Sequence, residues 1–153
     1  MTGGAGVSAA RGRPSNAPTS DQPPVSVQTD LTLILSDEVG SLAQAFTILG
    51  GAGVNVVGHG GFLAWAGEGV LHMIADDPER ARAALHEAGI EVREEREVIV
   101  FAVAPRPGAL AESLRAVADA GINVDLTYVT ADSRAVIGVN DVQRAMRALE
   151  AAG

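Results

Sequence analysis

The spacing of hydrophobic and polar positions changes several times along the chain, and each change marks an element. Val25-Ser26-Val27-Gln28 alternates, and Leu31-Thr32-Leu33-Ile34-Leu35 is almost continuously apolar, which predicts strand buried on both faces. Residues 36–40 read as a turn. Leu42, Ala45, Phe46 and Leu49 then fall at i, i+3, i+4 and i+7, a single helical stripe that stops at Gly50-Gly51. A second strand is predicted from 54 to about 63, weakened or bulged by Gly58, Gly60 and Gly61. A hairpin loop around Trp65 leads to a third strand over 70–75. Asp77 as N-cap and Pro78 at the first helical position open a second helix, with Ala81, Ala84, Leu85 and Ala88 inward and Gly89 ending it. A short fourth strand, 90 to about 95, follows. The mixed-charge run Arg93-Glu94-Glu95-Arg96-Glu97 reads as a solvated crossover.

From residue 97 the pattern starts again: strand 97–104, helix 108–120, strand 122–130, a tighter hairpin, strand 134–139 and helix 141–152. The repetition extends to the residues. Asp37-Glu38-Val39-Gly40-Ser41-Leu42-Ala43 aligns with Pro105-Arg106-Pro107-Gly108-Ala109-Leu110-Ala111. At the same offset of 68, Ala52-Gly53-Val54-Asn55-Val56 aligns with Ala120-Gly121-Ile122-Asn123-Val124. After a four-residue contraction, Asp77, Arg80, Ala81 and Leu85 align with Asp141, Arg144, Ala145 and Leu149. This is an internal duplication. The expected fold is α+β: two ferredoxin-like βαββαβ repeats, with an antiparallel sheet and helices on one face.

Residues 25–96 form the first repeat and 97–153 the second, which carries no fourth strand of its own. The offset that superposes the turns also places 25–27 on 93–95. The N-terminal strand is therefore expected to complete the second repeat, with 25–35 and 91–103 antiparallel and opposed numbers summing to roughly 128. The second-strand edges, 54–63 and 122–130, carry little charge and are expected to pair with a second copy, giving a homodimer.

Composition narrows the function. Residues 1–24 are rich in Gly, Ala, Ser and Pro without periodicity, and are expected to be a disordered leader. The chain has no Cys and no Lys, which excludes thiolate chemistry, a P-loop lysine and a Schiff base. Beyond the leader, 9 arginines face 18 acidic residues, so nucleic acid and anionic membrane are poor partners. No apolar run of about 18 residues exists and no signal-peptide core opens the chain, so a cytoplasmic location is expected.

The repeated turn resembles that of the ACT domain, an amino-acid-sensing module with a first strand, a turn of the form Asp/Asn-x-Pro-Gly-x-Leu, a helix, and a Gly-Ile/Val-Asn-Val strand opening. Arg106-Pro107-Gly108-Ala109-Leu110 with Gly121-Ile122-Asn123-Val124 carries the resemblance, as does Asp37 to Leu42 with Gly53-Val54-Asn55-Val56. Val39 stands where Pro is usual, and Pro105 where the acidic or Asn residue is usual. The resemblance spans 25–153 and is closest to tandem ACT proteins without a catalytic domain. It implies a non-catalytic regulator that binds a small molecule, such as an amino acid, and needs no cofactor.

The candidate ligand contacts are Asp37, Glu38, Val39, Gly40, Ser41, Leu42, Asn55 and His59 in the first repeat. In the second they are Arg106, Pro107, Gly108, Ala109, Leu110 and Asn123. Unpaired amides at a helix start attract a carboxylate. Gly40 and Gly108 would let backbone approach a ligand, and the Asn side chains could bind an α-amino group. The same glycines could merely permit a strand-to-helix turn, which leaves a purely structural interaction module as the alternative. His59 and His72 could face one another across the hairpin, but one His pair makes no metal site. His86 reads as a surface residue, and Trp65 as a residue that either packs on the sheet or covers a ligand. The glycines at 51, 53 and 58 follow a helix and precede a strand, the reverse of a dinucleotide fingerprint, and no activated nucleophile is visible.

Overall fold

The computed structural model describes residues 24–153; the expected leader lies outside the described residues except for Pro24. The elements are β1 (Val25–Ser36), α1 (Ser41–Gly51), β2 (Val56–Leu63), a 3-10 turn (Trp65–Gly67), β3 (Glu68–Ala75), α2 (Pro78–Glu87), β4 (Glu91–Phe101), α3 (Ala109–Asp119), β5 (Val124–Val129), β6 (Ala135–Val139) and α4 (Val142–Ala152). They form one six-stranded sheet in the order β2-β3-β1-β4-β6-β5, with every neighbouring pair antiparallel.

The centre of the sheet is the β1–β4 ladder, and it carries the exchange anticipated from the duplication. Val25 lies opposite Phe101 and Val27 opposite Ile99, so the start of β1 borders the second repeat; Ile34 lies opposite Glu91 in the first. Opposed numbers total 126, and 125 after a bulge between Thr32 and Leu33, rather than 128. A shift of two keeps each side chain on its expected face, whereas a shift of one would reverse them all. The charged run 93–97 is the middle of β4 and not a crossover. No Gly or Pro interrupts residues 90–101, so nothing ends the strand there. Its charges pair with neighbouring elements, Arg82 with Glu95 at 2.8 Å and Arg96 with Asp125 at 3.0 Å.

The four helices cover one face. Leu31, Leu33, Leu71 and Met73 pack with Leu49, Ala81 and Leu85 over the first repeat. Ile99, Phe101 and Ile137 pack with Val117, Ala145 and Leu149 over the second. Asp77 and Asp141 cap α2 and α4 by accepting from the amides of Arg80 at 3.0 Å and Arg144 at 3.1 Å.

The helix-free face is also a core. Ile74, Val98, Val100, Tyr128 and Val136 are buried together on it, because the sheet curls until its two edges meet. Gly58 on β2 bridges Thr130, just beyond β5, and the Ala131 amide donates to the Val57 carbonyl at 2.9 Å. The edges expected to recruit a second copy therefore touch one another within the chain. The seam explains Gly58 and Gly60 of β2. A Cβ on Gly58 would lie 3.0 Å from Thr130 Cα, and one on Gly60 would lie 3.0 Å from Tyr128 Cβ.

Inside the curl, the fully buried Asp30 collects three donors. Tyr128 Oη donates at 2.6 Å and Thr32 Oγ1 at 3.4 Å, and His72 Nδ1 lies 2.9 Å away. Burial, then the hydrogen bond to Asp30, pushes the Tyr128 phenol far above the usual tyrosine range. His72 lies opposite Gly60 and His59 opposite Met73, so the two histidines occupy opposite faces and do not confront one another.

Two outcomes follow. Gly60→Val should destabilise the fold by about 1–3 kcal/mol through overpacking. Gly50→Ala, with nothing within 4 Å of the added methyl, should be neutral or stabilise by about 0.4–1 kcal/mol; urea unfolding compares them. Tyr128 is the single tyrosine, so phenolate absorbance reports it alone. Because its folded pKa is raised, the stabilisation is complete below the unfolded value of about 10 and is lost as pH climbs above it. Phenolate should therefore appear only together with unfolding.

Candidate functional site

The link between β1 and α1 is built by backbone hydrogen bonds. The Asp37 amide donates to Gly67 O at 2.9 Å, Glu38 N to Ser36 O at 2.9 Å, and Ser41 N to Glu38 O at 3.2 Å. Gly40 has φ +89° and Gly108 φ +85°, in the left-handed region where a Cβ is strained, and both face open space. What requires glycine at these positions is the turn conformation, and no close packing adds to it. Neither α1 nor α3 has a side-chain cap, in contrast to α2 and α4. The first helical amides are paired, Ser41 N with Glu38 O at 3.2 Å and Ala109 N with Arg106 O at 3.3 Å, and the next two of each helix are left to solvent or to a ligand.

Over the first of these turns lies a cavity of about 320 Å³. Asp37 and Glu38 form one wall, Ser41 and Leu42 of α1 another, and Leu35, Leu71, Phe62 and Leu63 contribute apolar surface. Register explains the assembly: Leu35, Gly69 and Leu63 are aligned across three strands, as are Leu33, Leu71 and Gly61 and then Leu31, Met73 and His59. His59 thus stands on the helix face, its ring 5.1 Å from that of Phe46 and tilted by 58°. Val39 is fully exposed beside the mouth, and Leu42, Phe62 and Leu63 are also exposed. The side chain of Trp65 lies outside what the structure describes.

Of the first repeat's candidate contacts, Asp37, Glu38, Ser41, Leu42 and His59 line this cavity, with Val39 and Gly40 in the turn between them. Asn55 does not reach it. It precedes β2 at the opposite end of the sheet, four residues before His59 or about 13 Å along a strand. Its amide donates to Asp76 Oδ1 at 2.9 Å and its carbonyl accepts from Asp76 N at 3.0 Å, so it anchors backbone there. Asn123 holds the equivalent exposed position before β5. The sequence reading missed Leu35, Phe62, Leu63 and Leu71, which come from strands far apart in the chain. The alternation of β2 places 59, 61 and 63 on one face, and only His59 of these was singled out.

The second turn has the same backbone and the opposite electrostatics. Arg106, at the position of Glu38, donates two hydrogen bonds to Glu112 at 2.9 and 2.6 Å, and Glu112 stands where the first repeat has Gln44. Pro107 and Gly108 complete the turn, Ala109 is buried at the start of α3, and Leu110 is exposed. The Arg106 hydrogen bonds, reinforced by its charge, hold the Glu112 carboxyl below the usual glutamate range. Among the described residues no cluster of three or more His, Asp or Glu is placed to hold a metal ion. No described helix is long and apolar enough to cross a membrane.

The ACT domain pair family matches residues 26–150, and the chain belongs to that family. No curated protein matches it. Among solved structures it is similar to protein BT0572 from Bacteroides thetaiotaomicron, with a TM-score of 0.74 and 23% identity over 84% of this chain and 90% of that one. The ligand-free regulatory subunit of aspartate kinase from Thermus thermophilus has a TM-score of 0.62 at 22% identity, over 84% of this chain and 93% of that one. The corresponding subunit from Thermus flavus has a TM-score of 0.59 at 20% identity, over 85% and 97%. At these identities the likeness is one of fold.

The ion pair at the second turn has a titration signature. The Glu112 carboxyl should titrate below an ordinary glutamate in a carbon-detected NMR titration, and Arg106→Gln should return it upward. With a depressed folded pKa, the contribution of the pair is present above the unfolded glutamate pKa and is lost as pH falls through the folded one.

Proposed function

We propose that this ACT domain pair is a non-catalytic cytoplasmic regulator, and that it binds an amino acid in the cavity over the first repeat's turn. The observation that supports this most directly is the uncapped start of α1 opening onto a cavity lined by two carboxylates and an apolar wall. The α-carboxylate would accept from the first-turn amides at the positive end of the helix. The α-ammonium would pair with Asp37 or Glu38, and an uncharged side chain would lie against Leu35, Leu63 and Leu71. His59 closes one side. The second turn supports no equivalent mode, because Arg106 replaces the acid and Glu112 already holds it. Regulation would arise as a population shift, in which the ligand favours one packing of the two repeats.

One observation favours a second reading, an interaction module without a small ligand. Val39, Phe62 and Leu63 form an exposed apolar rim, which a second copy could cover to give a homodimer with the cavity closed between them.

A thermal-shift panel of the twenty amino acids separates the two. A ligand at 100 times its dissociation constant should stabilise the protein by about 2.7 kcal/mol. The best ligand should lose affinity at least tenfold with Leu63→Glu and retain it with Arg106→Ala, as read by titration calorimetry. If no amino acid moves the melting temperature, the interaction module is the better reading.

A further inference from the structure

We infer that His59 is the residue through which the first repeat's cavity holds the β2–β5 seam closed, so that an occupied cavity and a closed seam favour one another. This rests on reading the cavity as a ligand site. The seam is the thinnest junction in the sheet. Each neighbouring strand pair shares a ladder, whereas β2 meets β5 through the Gly58–Thr130 bridge and the hydrogen bond from the Ala131 amide to the Val57 carbonyl. It can part while those ladders stay intact, as a low-stability local opening.

The chain alternates at this point. Gly58 and Gly60 turn toward the neighbouring strand, so near to Thr130 and Tyr128 that a Cβ on either would stand 3.0 Å from them. His59 between them necessarily projects to the opposite face. There its ring packs on Phe46 of α1 and forms a common wall of two cavities. One is the cavity over the first turn, with Asp37 and Leu42. The other, of about 380 Å³, spans the seam between Val57 and Val129. A side chain fixed at 59 fixes the backbone of residues 58–60, and that backbone is the first repeat's half of the seam. With β2 held on β3 by its ladder, a ligand that packs on the imidazole makes this contact best in the orientation of residues 58–60 that meets Thr130, which is the differential interaction a coupled equilibrium requires. Coupling is reciprocal, so an opened seam must also weaken the ligand.

Exchange of the Ala131 amide with deuterium, followed by NMR on the full chain, reads the seam directly. His59→Ala should accelerate it at least tenfold while the Val100 and Ile137 amides of the central ladders keep their rates. Phe46→Leu, which keeps apolar volume and removes the ring beneath the imidazole, should act in the same direction. If either variant leaves Ala131 unchanged with the ladders intact, His59 does not hold the seam. General acceleration in one variant passes the decision to the other. In the unsubstituted protein, the amino acid giving the largest thermal shift should slow Ala131 at least tenfold, and His59→Ala should abolish that slowing. Binding without slowing would overturn the coupling and leave the ligand site standing. A panel without a binder would overturn the ligand site, and the two variants would still decide whether His59 holds the seam.

Discussion

The structure depends on the β1–β4 ladder. An antiparallel sheet needs a partner on each side of every interior strand, and here each repeat obtains its innermost partner from the other. The first half of β1 lies against the second half of β4, and the second half of β1 against the first half of β4. A break anywhere along this ladder exposes a long apolar edge in both repeats, because Leu31, Leu33, Val98, Ile99 and Val100 are buried on the two strands. The repeats are units of sequence that share one sheet and the core on its helix-free face.

Sharing two strands also explains why the helix-free face turns inward. A sheet with helices on one side leaves the other to water, to a partner, or to itself. This chain folds it on itself, with Ile74, Val98, Val100, Tyr128 and Val136 meeting inside the curl. The curl encloses polar groups as well, and a buried carboxylate is tolerable only when its acceptor sites are filled. Asp30 has Tyr128, His72 and Thr32 around it. Tyr128 reaches it from the second repeat, so the bond also fixes how far β5 can fold over. Removing the hydroxyl would leave one carboxylate oxygen short of a donor, at a cost of about 1–3 kcal/mol.

What could be read from the sequence was local or repeated. Helix periodicity, the Asp77 and Asp141 caps and the turn glycines are each determined within a few residues. Superposing 25–27 on 93–95 by the offset of the turns led from local pattern to a long-range ladder. It was two residues out in register because the offset shows which segments meet and not which residues stand opposite one another. The curl was not legible: alternation shows that both faces of β1 and β4 are apolar, but not what covers them. For the same reason the sequence placed His72 opposite His59 and brought Asn55 to the turn. The hairpin register, with Leu63 opposite Gly69, pairs His59 with Met73 and His72 with Gly60, and an antiparallel strand entered from the far end of α1 carries its first residue away from that turn. The reversal of charge at the second turn was readable, since Glu38 aligns with Arg106 and Gln44 with Glu112.

That reversal bears on what a duplication can do once its halves share a core. Equivalent backbones, down to φ of +89° and +85° at the two glycines, give each repeat a helix start without a side-chain cap. Fold alone would make them two identical sites. Side chains make them different: at one an acid pair faces an open cavity, and at the other a guanidinium is held by its own helix. A symmetric pair of sites responds to a ligand in both halves alike, and the strain on the shared ladder would then be balanced. An asymmetric pair does not. A ligand at the first turn, as proposed, would bear on β2 and α1 and leave the second repeat as it was, and the difference would fall on the junctions between them. Of these the β1–β4 ladder is long and buried, and the β2–β5 seam is short. Any relative movement of the repeats would therefore be taken up first at the seam, where Gly58 and Gly60 leave β2 with only Val57 packed against the inner core.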